Sequence, residues 1–91
     1  MAKKKSKEVK PKKLFKAVYE SYGSFGYSAI GKKFFKTQKD ATSFVKKEWL
    51  EDLKKDEDAL IIIYDVRTDE RVEVWRNESG KVVHYPEGWG I

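Results

Sequence analysis

The chain has 91 residues, no cysteine and a formal charge of +5, with 40% hydrophobic and 14% aromatic residues. Such a composition excludes disulfides, a thiolate nucleophile and cysteine-ligated metal sites, and it is too rich in aromatics for a wholly disordered chain. The longest apolar run, residues 59–64, is far shorter than the roughly 20 residues of a membrane helix, and the start lacks the apolar segment of a secretory signal, so we expect a cytoplasmic protein without a membrane partner.

The excess positive charge lies at the start of the chain. Residues 1–13 hold seven lysines against one glutamate, whereas residues 14–91 hold 13 basic and 14 acidic groups. Because like charges repel one another and the segment has no apolar periodicity, we expect a flexible, disordered arm at 1–13 and a single folded domain at 14–91. The lysines of this arm are Lys3, Lys4, Lys5, Lys7, Lys10, Lys12 and Lys13.

The first ordered elements are predicted to be two strands. Residues 14–22 alternate in a strand-like way, which places Phe15, Ala17 and Tyr19 on one face. The glycines of residues 23–26 can take positive φ, so this segment predicts a turn into a second strand at 27–35.

A helix is expected to follow, beginning near Gln38. Thr37 can cap its first free N–H groups, and Asp40 follows three residues later, as in a shortened capping box. Because the acids at 56–58 would repel the negative end of the helix dipole, we expect the helix to end by Lys55. Its apolar stripe recurs every four residues, at Ala41, Val45, Trp49 and Leu53.

Three more strands complete the predicted fold. Residues 59–66 are apolar at consecutive positions and indicate a central strand, while 71–76 and 81–85 are joined to it and to each other by polar turns at 67–70 and 77–80. The sequence therefore predicts an α+β fold: a small antiparallel sheet of order β-β-α-β-β-β with one helix packed on one face.

One helix leaves the other face of such a sheet solvated, oligomeric or available for binding. The residues that we expect on this interaction surface are Tyr19, Tyr64 and Trp75. Trp89 follows Pro86, where regular pairing ends, and it either folds back onto the body or is displayed as a further part of the surface.

Three short segments resemble known binding motifs. Residues 26–33 fit half of a phosphate-binding loop but lack the serine or threonine that holds magnesium, and residues 23–26 match the GXXG loop of KH domains but are predicted to join strands. Residues 34–45 are similar to the strand-to-helix segment of many small modules, including the hybrid-binding domains of ribonucleases H, although the glycine-isoleucine-tyrosine and tryptophan motifs of that family are absent. We interpret the first two segments as hairpin turns and transfer no function from the third.

No catalytic or metal site is predicted. His84 is the only histidine and has no serine or cysteine partner at a suggestive spacing, so we interpret it as a surface or cross-strand residue. The acids at 56–58 lack the spacing of a calcium loop. A carboxylate pair such as Glu20 and Asp65 is a formal alternative, but we expect a non-enzyme without a cofactor.

Two functions remain open at this point. The first is non-specific association with nucleic acid or ribonucleoprotein through the lysine arm, assisted by Lys32 and Lys33 and by aromatic stacking. Lysine outnumbers arginine 17 to 3, which disfavours base reading. The second is a protein-binding regulator or inhibitor, of the kind that phages encode, acting through its sheet face or an edge strand. A purely solubilising arm is the alternative for residues 1–13.

Overall fold

The structure is a computed structural model that describes residues 13–23 and 26–88. Five strands form one antiparallel sheet: β1 (Phe15–Gly23), β2 (Gly26–Phe35), β3 (Leu60–Asp65), β4 (Glu70–Glu78) and β5 (Lys81–Tyr85). Between β2 and β3 lies one helix of three consecutive segments: α1 (Gln38–Phe44), a π-helical turn (Val45–Trp49) and α2 (Leu50–Lys54). The predicted α+β class and element order are confirmed. The predicted arm, except Lys13, and Trp89 lie outside the described residues.

The strands lie in the order β2-β1-β3-β4-β5, and every neighbouring pair is antiparallel. The helix therefore carries the chain from the edge strand β2 back to the middle of the sheet. Strand β3 occupies that middle position, and its Leu60, Ile61, Ile62 and Ile63 are all buried. Because successive side chains point to opposite faces, this apolar run contributes to a core on both sides of the sheet.

Both ends of the helix are capped by side chains. The Oγ1 atom of Thr37 accepts a hydrogen bond of 3.1 Å from the backbone N–H of Asp40, which confirms the predicted start. At the other end, Nδ2 of the buried Asn77 donates to the carbonyl oxygen of Leu53 at 2.7 Å. Asn77 was expected in a turn, but β4 extends to Glu78, and this register brings the amide to the Leu53 carbonyl, which also accepts from the backbone N–H of Asp56 at 3.1 Å.

The helix packs on one face of the sheet. Burying one large aliphatic or aromatic side chain contributes about 1.5–3 kcal/mol, so this cluster is the main source of stability among the described residues. Its buried members are Ala17, Tyr19, Ala41, Val45, Leu53, Ala59, Ile61, Ile63 and Trp75.

The opposite face, which we call the far face, has an apolar centre of its own. Leu60, Ile62 and Val74 are at most 3% exposed, and the half-buried Tyr64 and Tyr85 pack against them. The exposed aromatic side chains of the far face, Tyr22, Tyr27 and Phe34, lie on β1 and β2 at one end of the sheet.

The structure corrects two of the predicted interaction residues. Tyr19 is 4% exposed and Trp75 is 2% exposed, and both belong to the cluster under the helix. Tyr19 lies on the same face of β1 as Ala17, and Trp75 lies opposite Ile61; all of them face the helix. Their placement on the open surface was wrong because the helix covers the face to which their strand positions alternate.

Candidate functional site

The most exposed element of the sheet is the edge strand β2. Among the described residues its ten residues pair with β1 alone, and residues 27–30 and 32–34 are exposed. Residues 26–36 contain three lysines and no acidic residue. Strand β2 is thus a long, locally basic edge on a body, residues 14–91, that is nearly neutral as a whole.

Three exposed aromatic side chains and one lysine lie on the far face, on β2 and at the end of β1. Tyr22 and Tyr27 are 55% and 47% exposed, and their rings meet edge to face with centroids 5.2 Å apart. Phe34 is 42% exposed, and Lys32 lies two residues before it on the same face. We call these four residues the aromatic row. From Tyr27 to Phe34 it extends about 23 Å along the strand at the usual rise per residue.

The described part of the predicted lysine set has two locations. Lys32 and Lys33 are both exposed on β2, and the Nζ atom of Lys33 lies 5.3 Å from the ring centroid of Phe44. Lys13 is exposed just before β1. The other predicted lysines, which lie outside the described residues, are Lys3, Lys4, Lys5, Lys7, Lys10 and Lys12.

Tyr64 lies on the far face as predicted, but its ring also covers part of the apolar centre. The Nζ atom of Lys16 lies 4.9 Å from the centroid of that ring. Burial, followed by the charge of Glu20, raises the pKa of the Tyr64 phenol above its ordinary value. The phenol is therefore a neutral hydrogen-bonding group at physiological pH, and only part of its surface is available to a partner.

A second feature is a cavity of about 330 Å³ between the helix and β2. The hydroxyl of Tyr19 donates to Oδ2 of Asp56 at 3.2 Å, and Oγ of Ser21 donates to the same oxygen at 2.9 Å. Within the described residues, no hydrogen bond or ion pair reaches Oδ1 of Asp56 or the carboxylate of Asp52. We call this cavity the acidic notch, and its lining residues are Tyr19, Ile30, Gly31, Trp49, Asp52 and Asp56.

The electrostatics of the notch follow from these contacts. Burial is the main cause that raises the pKa of the Tyr19 phenol well above its usual range, and the nearby Asp56 carboxylate adds to it. The phenol therefore stays protonated and remains a donor to Asp56 at neutral pH. The notch consequently presents two carboxylates and two aromatic rings, with a fixed hydrogen-bond donor on only one carboxylate oxygen.

Local irregularities of the backbone shape the notch. The π-helical turn ends at Trp49, whose ring meets that of Tyr19 edge to face at 5.9 Å. The register of β1 and β2 shifts opposite Tyr19, which leaves Ile30 as the extra residue of a β-bulge. A Cβ atom at Gly31 would lie 3.1 Å from Cζ2 of Trp49, so only glycine leaves the indole its full space. Such irregularities often occur at functional sites.

A third polar feature is the Glu73 cluster, in which the buried Glu73 contacts the half-buried Gln38 and Thr42 and the exposed His84. Glu73 is 5% exposed, and its Oε1 accepts from the Thr42 hydroxyl at 2.5 Å and from Nε2 of Gln38 at 3.3 Å. Nε2 of His84 lies 2.6 Å from Oε2 of Glu73. The His84 ring also stacks on Trp75 with centroids 4.5 Å apart, so the histidine is the cross-strand residue that we expected.

The described residues of the three motif segments lie at or within regular elements. Residues 26–33 lie within β2, and Gly23 ends β1 while Gly26 begins β2; residues 24 and 25 lie outside the described residues. Residues 34–45 run from the end of β2 through α1. Among the described residues, no group of three or more histidine or acidic side chains is arranged to hold a metal ion. In the same part of the chain, no helix is long and apolar enough to cross a membrane.

Comparisons with known proteins found no matching family, curated protein or solved structure for this chain.

Sequence reasoning missed the exposed side chains Tyr22, Tyr27 and Phe34 and the whole acidic notch. The absence of acids from residues 26–36 was a usable signal for the row. The notch had no such signal, because it depends on a β-bulge and a π-helical turn that bring distant residues together.

Proposed function

We propose that this chain is a non-catalytic, cytoplasmic module that binds nucleic acid without sequence preference. Its lysine arm contacts phosphates, and the aromatic row receives unstacked bases. The observation that supports this proposal best is the pair of exposed rings, Tyr27 and Phe34, with Lys32 between them along an edge strand that has no acidic residue.

The chemistry of the row suits single strands more than duplexes. Stacking of one base on an aromatic side chain contributes roughly 1–3 kcal/mol and tolerates any base, since every base has a π face. Lysine supplies a point charge to phosphate, without the fork through which arginine reads guanine. We therefore expect binding that falls steeply with salt and depends little on sequence.

The experiment is a fluorescence-anisotropy titration of labelled single- and double-stranded DNA and RNA at two salt concentrations. The double variant Tyr27→Ser/Phe34→Ser should weaken single-strand binding at least about tenfold, because two stacking platforms are lost. Lys32→Gln/Lys33→Gln should also lower the salt slope by about 0.7 per lost phosphate contact. Lys55→Gln/Lys81→Gln removes the same charge from exposed positions outside β2 and serves as the control.

A full-length variant with glutamine at the six lysines of residues 3–12 measures the part played by the arm. If this variant loses most of the affinity while the row variants do not, the arm alone carries binding. Absence of binding at low salt in the unmodified chain would contradict the proposal.

A second candidate function is binding of a protein through the open edge of β2. Within residues 13–23 and 26–88 this strand has a neighbour on one side only, and none of the described backbone hydrogen bonds outside the regular elements involves it. An extended peptide can add to such an edge through main-chain hydrogen bonds, with pockets for alternate side chains supplying specificity. Survival of a protein complex in the arm variant would favour this function.

A further inference from the structure

We propose that the acidic notch receives the lysine or arginine side chain of a partner peptide that pairs along the open edge of β2. The inference rests on the second candidate function, edge-strand binding, and adds the chemistry that selects the partner.

The notch has the groups that an organic cation requires. Asp52 and Oδ1 of Asp56 have no donor among the described residues, so they can accept from an incoming ammonium or guanidinium. The Trp49 indole lines the same cavity, and a cation that reaches the face of an aromatic ring gains about 0.5–2 kcal/mol depending on its desolvation. The aliphatic wall of Ile30 suits the alkyl stem of the same side chain.

The same groups are poorly suited to a metal ion. Calcium takes six to eight oxygen ligands, and magnesium demands a near-ideal octahedron, whereas the notch offers two carboxylates between aromatic and aliphatic walls. Its volume of about 330 Å³ is near the lower end for small-molecule cavities. A single long side chain with a terminal charge matches both the size and the lining.

The position of the notch connects it with the edge of the sheet. Ile30 and Gly31 line the notch and belong to β2 itself. A peptide paired to β2 would lie about 4.8 Å away, and its alternate side chains would point to the helix side of the sheet. One of those side chains would then enter the notch from the open edge, while the backbone of the peptide supplies the pairing.

The test uses NMR titration of the ¹⁵N-labelled full chain with two matched peptides. Both are short, acetylated and amidated, with a central lysine flanked by valine and threonine in one and norleucine at the centre of the other. The backbone resonance of Gly31 and the indole resonance of Trp49 should shift saturably with the lysine peptide, and its Kd should be at least about tenfold lower than that of the norleucine peptide.

Two variants test whether the preference for the lysine peptide comes from the notch. Asp52→Asn should bring the two Kd values to within about threefold of each other, because it removes a carboxylate without removing any hydrogen bond of the fold. Glu51→Gln changes the neighbouring, exposed acid, which does not line the notch, and should keep the preference.

Three titration outcomes would contradict the inference. Equal binding of the two peptides to the unmodified chain overturns the assignment of the notch, while edge pairing survives. Binding of neither peptide overturns the edge mode as well, and leaves the nucleic-acid proposal unaffected. Butylammonium that binds as tightly as the lysine peptide would also overturn the inference, since the ligand would then be a free amine.

Discussion

The Glu73 cluster and the acidic notch lie beside the same helix, but their carboxylates differ in how many of their oxygens have hydrogen-bond partners. Glu73 is almost fully buried, and both of its oxygens accept hydrogen bonds, from Thr42 and Gln38 on one side and from His84 on the other. Asp56 receives both of its donors on one oxygen, and the Asp52 carboxylate is exposed and receives none from the described residues.

The difference shows which acid serves the fold and which is available to a ligand. A buried carboxylate is tolerated only when hydrogen bonds replace its water, so Glu73, whose two oxygens both have partners, serves the fold. A carboxylate with unused acceptors beside an aromatic wall keeps its water at little loss and can exchange it for a cation. Substitutions at the two sites should therefore change different properties.

The largest loss of stability is expected for Glu73→Ala. This change leaves the donors of His84 and Thr42 without their acceptor and opens a cavity, so we expect the free energy of unfolding to fall by about 3 kcal/mol. Urea denaturation followed by circular dichroism measures it. A loss below 1 kcal/mol would mean that water replaces the carboxylate as the hydrogen-bond partner, and that Glu73 is not needed for the fold.

Asn77→Ala should have the next largest effect. The amide of Asn77 donates to Leu53 at the end of the helix, and its Oδ1 accepts from the backbone N–H of Gly80 at 2.7 Å. Removing both bonds in a buried position should lower the unfolding free energy by about 2 kcal/mol. Thr37→Ala, which removes the cap at the exposed helix start, is the comparison and should lose about 1 kcal/mol. Equal losses in the two variants would show that burial does not strengthen the cap.

Tyr19→Phe tests a residue that belongs both to the core and to the notch, since Tyr19 is buried and its hydroxyl donates to Asp56. At pH 8 the loss of one hydrogen bond to a carboxylate should lower stability by about 1–2 kcal/mol. Because the phenol pKa is raised in the native state, the unfolded chain loses this proton first, near pH 10, and the stability that Tyr19 contributes falls above that pH.

The difference in unfolding free energy between Tyr19→Phe and the unmodified chain should thus shrink between pH 8 and pH 11. The contributions of the other groups that titrate in this range are the same in both proteins and cancel in the difference. These groups include Tyr64 and Tyr85, whose pKa values are also raised. A difference that is the same at both pH values would contradict the role of Asp56 and burial.

The smallest effect is expected for Asp52→Ala, the counterpart of Glu73→Ala in the open notch. Its carboxylate is exposed and unpaired among the described residues, so stability should change by no more than about 0.5 kcal/mol. The same urea titration applies. A loss above 1.5 kcal/mol would show that the notch is structural too, and it would remove the distinction between the two sites.

Much of the fold could be predicted from local patterns. The alternation of β1, the cap at Thr37 and the apolar run of β3 each act over a few residues, and the structure has the corresponding elements within one or two residues of the predicted positions. The lining of the notch could not be predicted in this way. Gly31, Trp49 and Asp52 come from two different elements, and their meeting depends on a bulge and a π-helical turn.

The sequence by itself determined the α+β class, the order of the elements and the position of the charge, because periodicity, capping and like-charge runs are properties of neighbouring residues. Only the tertiary structure decided which side chains are displayed. Tyr19 and Trp75, like Tyr27 and Phe34, are aromatic residues of predicted strands. The helix covers the first pair, whereas the second pair is exposed on the edge strand β2. Exposure depends on what packs across a face, and that is a property of the whole chain.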